Sequence, residues 1–313
     1  MSARMMALAL GFALVGAACA GGSGADTSTT ITEPAANTFE GADGATASIA
    51  DPSRIVSLNG DLTEIIFALG AGDQVVGIDL TTTYPEEATV LPDVGLGRSL
   101  NAEAVIGLQP TLVIGDTQVE PSSAIEQIRS AGIPVAILPA EVTLEGAIRK
   151  ILTMGEILDR NAAAISLASD VQDEIDAAIA LAANATSEPR VAYTYVRGPE
   201  TLLLFGNGMP THFLIEAAGA VDAAGEAGVL FAESLSAERL VVAAPDVLIA
   251  PIQGFDILGG QDAYLALPGV GDTPAGRTGT VLTYDEALLL GMGPRVGEAL
   301  RQLVIDLHPE IDG

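Results

Sequence analysis

The sequence predicts an α/β protein of two Rossmann-like lobes joined by a single long helix, with a ligand cleft between the lobes. Three observations carry this. Short β-rich runs alternate with short helical patterns in both halves, which is the mark of βαβ units and mostly parallel sheets. From Thr143 to about Ala185 the alternation stops: proline and strand signals are absent, and apolar residues recur at helical spacing over ~40 residues. Finally, "LNAEAVIGLQPTLVIG" (Leu100–Gly115) returns as "LSAERLVVAAPDVLIAP" (Leu235–Pro251), with the same L-x-A-E start, central proline and apolar strand. An internal repeat at that distance implies two lobes of similar plan rather than a solenoid.

The elements follow in order. Arg4 precedes an apolar run, Met5 to Val15, and then Gly16, Ala17, Ala18 and Cys19. This is a charged start, an apolar stretch too short to span a bilayer and a small-residue cleavage site. Residues 1–19 are therefore expected to be a lipoprotein-type signal, with Cys19 lipidated and anchoring the chain to the membrane. Gly16 stands where such signals usually carry leucine, and the alternative is a plain secretory signal with an incidental cysteine. Residues 20–53, rich in Gly, Ser, Thr, Ala and Asp, read as a flexible tether. The N-terminal lobe, 54–142, opens with the strand "RIVSL". A helix in "DLTEIIFALGAG" stops at Gly70, and "QVVGID" is a second strand. The first copy of the repeat supplies a helix and a strand, and "SSAIEQIRSAGIPVAIL" another of each. The linking helix is expected over 143–187, as one run or two abutting ones. The C-terminal lobe, 188–313, has strands in "RVAYTYV", the second repeat and "GTVLTY". Its helices lie in "MPTHFLIEAAGA" and "PRVGEALRQLVIDLHP".

Composition narrows the function. The chain of 313 residues carries 13 basic and 41 acidic side chains, a formal charge of −28. That argues against nucleic acid and anionic lipid surfaces as partners. Cys19 is the only cysteine, so an internal disulfide is excluded. Lys150 is the only lysine and lies in the linking segment, and no G-x-x-x-x-G-K-[ST] loop exists for a nucleotide. Two histidines, His212 and His308, are too few for a structural zinc site. There is no G-x-S-x-G nucleophile motif. Glu86 and Glu87 are adjacent and cannot face each other as a catalytic pair. The chain reads as a binding protein and not an enzyme.

The stretch "GIDLTTTYPEEA" (Gly77–Ala88) places one of only five tyrosines, Tyr84, in a polar loop just after a strand. Pro85 restricts the backbone of Tyr84 to extended conformations. A phenolate is a hard anionic donor suited to ferric iron. The run from Arg54 to Gly115 resembles the N-terminal lobe of the haem-binding, periplasmic-type components of bacterial haem ABC importers. "LSAERLVVAAPDVLIAP" and "ALPGVGDTPAGRTGTVLTYDEALLLGMGPR" carry the resemblance on, over essentially Arg54 to Pro309. The two-lobe frame is shared with siderophore and cobalamin binders; the tyrosine-proline loop and the G-P-R near the end are the more haem-like parts.

The resemblance implies that the chain binds haem as a transported ligand and delivers it to an ABC importer permease. It implies that Tyr84 is an axial ligand to the iron, that Arg98 in the "G-x-x-[RK]-x-L" stretch meets a propionate, and that Arg295 is a second propionate candidate. Exposed glutamates, Glu103 and Glu238, one in each L-x-A-E segment, would dock the lobes on permease arginines. Tyr195 and Arg197 share a strand face, being two apart, and the guanidinium is expected to favour the phenolate of Tyr195 as a second iron ligand. Tyr193 and His212 are the rivals of Tyr195. The alternatives in function are a ferric-siderophore or cobalamin binder, and an extracytoplasmic enzyme with a Rossmann-like lobe.

Overall fold

The computed structural model describes residues 37–311. The expected signal, Cys19 and the first part of the tether lie outside the described residues. The remainder of that tether is a correction. Asn37–Glu40 (β1) and Thr46–Ile49 (β2) pair as an antiparallel hairpin. In β2 the apolar Ala47 and Ile49 point inward and alternate with exposed Thr46 and Ser48, the period of a half-buried strand. The composition of the segment concealed this, because the residues are small and the strands are four long. Asn37 fastens the hairpin to the rest of the fold by donating from Nδ2 to the Glu156 carbonyl at 2.5 Å.

The N-terminal lobe continues with Ile55–Ser57 (β3), Gly60–Ala68 (α1), Val75–Ile78 (β4), Ala102–Gly107 (α2), Leu112–Asp116 (β5), Ser122–Ser130 (α3) and Val135–Leu138 (β6). Its four strands form a parallel sheet in the order β4-β3-β5-β6. Every residue of β5 and β6 is buried, as parallel strands covered on both faces require.

The linking segment divides into Leu144–Ile157 (α4) and Asn161–Ala182 (α5), so the second of the two expected forms holds for it. The break is Asp159, which takes the left-handed conformation at φ 53°; Asp visits that region more readily than most residues. α4 packs on α1 and α5, while α5 is the long helix that joins the lobes.

The C-terminal lobe has Arg190–Val196 (β7), Leu202–Phe205 (β8), Pro210–Ala217 (α6), Val221–Asp222 (β9), Ala223–Glu226 (α7), Ala232–Ser234 (β10), Ala237–Ala243 (α8), Val247–Pro251 (β11), Ile252–Leu258 (α9), Gln261–Leu265 (α10), Pro274–Thr278 (α11), Val281–Tyr284 (β12), Glu286–Leu290 (α12) and Val296–Leu307 (α13). The parallel strands β9, β7, β11 and β12 repeat the plan of the first sheet. The two copies of the repeat become α2–β5 and α8–β11, and each strand pairs with the first strand of its lobe. β8 and β10 add an antiparallel pair beside β7, so this sheet is mixed rather than parallel.

One buried apolar cluster runs from Ile55 and Ile65 through Ile151, Met154, Val171 and Ile175 to Leu300 and Leu303. The lobes therefore share a core through the helical spine. Gly297 lets α13 approach α5 closely: a Cβ there would lie 2.4 Å from Cβ of Glu174. Among the described residues no helix is long and apolar enough to cross a membrane.

Candidate ligand-binding cleft

The loop after β4 is held by its threonines. Thr81 donates its hydroxyl and its N–H to the Asp79 carboxylate, and its Oγ1 accepts from the Gly60 N–H at 2.9 Å. The Thr82 and Thr63 hydroxyls bond each other at 3.2 Å. With Thr81 and Thr82 turned inward, Tyr84 is left on the outside, 46% exposed. A short threonine run thus fixes the loop on the start of α1 and presents one phenol. Asp79 also accepts from the Gly97 N–H at 3.3 Å, which ties the tyrosine loop to the turn bearing Arg98. Burial raises Asp79 to about 6, against the opposing effect of the Thr81 and Gly97 hydrogen bonds.

From the other lobe, Arg295 at the entry to α13 reaches across to this loop. Its carbon centre lies over the Tyr84 ring, 3.9 Å from the centroid, within cation–π range. Nε and Nη2 donate to Oε1 and Oε2 of Glu64 in α1, at 3.1 and 2.9 Å. Arg295 is thus engaged by a phenol and a carboxylate rather than held out as a free cation. Deeper in the same seam, Lys150 of α4 pairs with Asp61 of α1 and donates to the Gly291 carbonyl at 3.0 Å. Neither Glu64 nor the Lys150–Asp61 pair was visible in the sequence.

Tyr195, near the end of β7, stacks on Phe205 with ring centroids 5.3 Å apart. Its hydroxyl donates to Glu286 Oε1 at 3.0 Å, and Arg197 Nη2 donates to Glu286 Oε2 at 3.4 Å. Arg197 does pull Tyr195 toward the phenolate, as expected, but not far enough to make that the resting form. Burial and the Glu286 carboxylate push Tyr195 up to about 12, outweighing the opposite pull of Arg197 and Arg98. In this state Tyr195 is a neutral phenol. Arg98 itself is exposed and donates to the Gln118 side chain.

The rivals of Tyr195 fare differently. Tyr193 is 1% exposed, so it is core and not a cleft ligand. Burial, followed by the charge of Glu286, raises it well above the usual phenol range. His212 bonds Asp222 through Nδ1 at 3.0 Å, and Asp222 pairs with Val191, four residues back along β7 from Tyr195. At ~3.3 Å per residue, that puts the backbone of Asp222, the partner of His212, roughly 13 Å from Tyr195 along the strand direction.

Glu103 and Glu238 are exposed in the first turns of α2 and α8, and neither is ion-paired among the described residues. Exposed apolar groups follow two of the parallel strands: Leu80 just after β4, and Ile252 and Ile257 on α9, which follows β11. The chain thus offers a phenol from each lobe, exposed arginines Arg98 and Arg197, and exposed apolar side chains in the segments that follow β4 and β11. Among the described residues no cluster of three His, Cys, Asp or Glu could hold a metal ion.

This architecture matches known proteins over most of its length. A periplasmic heme-binding protein, RhuT from Roseiflexus sp. RS-1, superposes with a TM-score of 0.80 at 42% identity, covering 83% of this chain and 99% of that one. The periplasmic heme-binding protein BhuT, in complex with two hemes, gives 0.76 at 34% identity over 83% and 99%. A cobalamin-binding protein of Halobacterium salinarum is 31% identical over 270 residues, 83% of this chain and 70% of that protein. The sequence profile of the family described as "Periplasmic binding protein" matches residues 55–288, and with it the chain belongs to that family of extracytoplasmic ligand-binding proteins.

Proposed function

We propose that this protein binds haem outside the cytoplasm and hands it to an ABC importer. The observation that carries the reading is one phenol from each lobe, each with an arginine of the C-terminal lobe beside it: Tyr84 beneath Arg295, and Tyr195 sharing Glu286 with Arg197. A ferric porphyrin needs an axial donor at its centre, an apolar floor and cations at its carboxylate edge. Tyr84 is the iron ligand in this reading, since it is the exposed phenol. Leu80, Ile252 and Ile257 meet the macrocycle, and Arg98 and Arg197 meet the propionates. Tyr195 is the second ligand contact, entering as a hydrogen-bond donor or, once Glu286 is displaced, as a second iron ligand. Arg295 orients Tyr84, because its own charge is taken up by Glu64. Glu103 and Glu238, on helices that repeat across the lobes, dock on basic residues of the permease. Cys19 is the site of a lipid anchor.

A second reading is cobalamin, favoured by the likeness to the Halobacterium salinarum cobalamin-binding protein. The arginines argue against it, because the corrin periphery carries neutral amides rather than carboxylates. The rim also differs from what a ferric siderophore asks for, since its iron arrives fully chelated and takes no phenol. The test is titration of the purified protein with hemin and, separately, with cyanocobalamin. Hemin is expected to give a saturable high-spin ferric spectrum with a phenolate-to-iron charge-transfer band. Saturable cyanocobalamin binding without any hemin spectrum would overturn the reading.

A further inference from the structure

Glu286 meets no part of the ligand in the scheme above, yet it touches two of the residues that do. One carboxylate oxygen accepts from the Tyr195 hydroxyl and the other from Arg197. The carboxylate is at the rim, 21% exposed, with its arginine partner 47% exposed. The fold does not require it there. The N-cap of α12 is Asp285, which accepts from the Leu288 N–H, so the side chain of Glu286 is left over from capping. α12 is only five residues long, and nothing else among the described residues bonds this carboxylate.

We propose that Glu286 is an internal stand-in for a ligand carboxylate, occupying Arg197 and the Tyr195 hydroxyl until a carboxylate on the ligand displaces it. The inference rests on the haem reading and adds the selectivity of that site. Binding at this edge becomes an exchange of one carboxylate for another. A ligand without a carboxylate gains nothing from Arg197, because the guanidinium is already satisfied. A ligand with one must expel Glu286, and its affinity is lowered by the strength of the internal pair. Glu286 is thus a specificity residue: it keeps a cation from collecting arbitrary small anions and admits an anion only when the rest of a large flat ligand is also bound.

The experiment compares protoporphyrin IX with its dimethyl ester, both iron-free, so that iron ligation by either tyrosine plays no part. Wild type, Glu286→Gln and Glu286→Ala are titrated by absorbance. Removal of the competing charge from a rim ion pair should tighten protoporphyrin IX by about threefold and leave the dimethyl ester unchanged. Adding Arg197→Ala to Glu286→Gln should abolish the gain. Equal changes for acid and ester, or weaker acid binding in both variants, would overturn the inference and make Glu286 a support for Tyr195. Hemin titration of wild type separates the two levels. If wild type gives no hemin spectrum, the haem reading fails together with this one. If hemin binds but the acid-to-ester ratio does not move, only the role of Glu286 fails.

Discussion

The guanidinium of Arg295 lies 3.9 Å from the centroid of the Tyr84 ring, and it is held there by Glu64 from the opposite lobe. Removing either member leaves a half-buried charge without its partner. Arg295→Ala and Glu64→Gln are each expected to lower the unfolding free energy by about 1–3 kcal/mol. The double variant should lose less than the sum, since both remove the same contact. Urea unfolding at neutral pH measures all three. Strict additivity would show that the pair is not coupled.

Tyr84→Phe keeps the ring under Arg295 and removes only the oxygen. It should retain wild-type stability while losing the phenolate-to-iron band on hemin addition. Tyr84→Ala should lose both the band and part of the lobe contact. A wild-type hemin spectrum in Tyr84→Phe would remove Tyr84 from iron ligation.

Tyr195→Phe is expected to weaken hemin binding and alter the ferric spectrum, whereas His212→Ala should leave the spectrum unchanged and lower the melting temperature, because His212 is spent on Asp222. The reverse result would transfer the ligand role to His212.

Asp79 gives a pH dependence. Its native value is raised from 3.8 to about 6 by burial, so between those values the folded chain holds a proton that the unfolded chain has released. Its contribution to stability is complete below about 4 and is lost as pH rises through about 6, a change of about 3 kcal/mol. Burial acts in the same direction on Glu64 and Asp116, so the informative quantity is the difference between wild type and Asp79→Asn. That difference should shift in favour of Asp79→Asn between pH 4 and 7 in chemical unfolding. Parallel curves would show that Asp79 titrates normally.

Glu103→Ala combined with Glu238→Ala should abolish haem uptake in cells while leaving hemin binding by the purified protein intact. Normal uptake by the double variant would exclude these two glutamates as the docking points.

Much of the fold was legible because it is written locally. Gly70, Gly132 and Gly219 end helices with the positive φ their positions require, and the L-x-A-E repeat named the second central strand from the first. What escaped was short or distant. β8, "LLLF", follows β7 after a five-residue turn, and its apolar run carries no alternation to mark an antiparallel strand. Asp159 breaks the spine with neither proline nor glycine. In the cleft, the sequence supplied Tyr84, Arg98, Tyr195, Arg197 and Arg295 through motif and resemblance. It gave no sign of Glu64, 231 positions from Arg295, or of Glu286, 91 positions from Tyr195. A carboxylate that answers an arginine across the fold leaves no trace in its own neighbourhood, and burial together with Glu286 sets the state of Tyr195 against the pull of Arg197.

Lys150 is the only lysine in the chain and is buried at the seam between the lobes, 5% exposed and bound to Asp61 and Gly291. The protein therefore carries a single side-chain amine, and folding hides it. An acylating dye would find that amine only when the lobes part, so the rate of labelling at Lys150 becomes a chemical clock for the opening of the molecule, written into it by an otherwise lysine-free sequence.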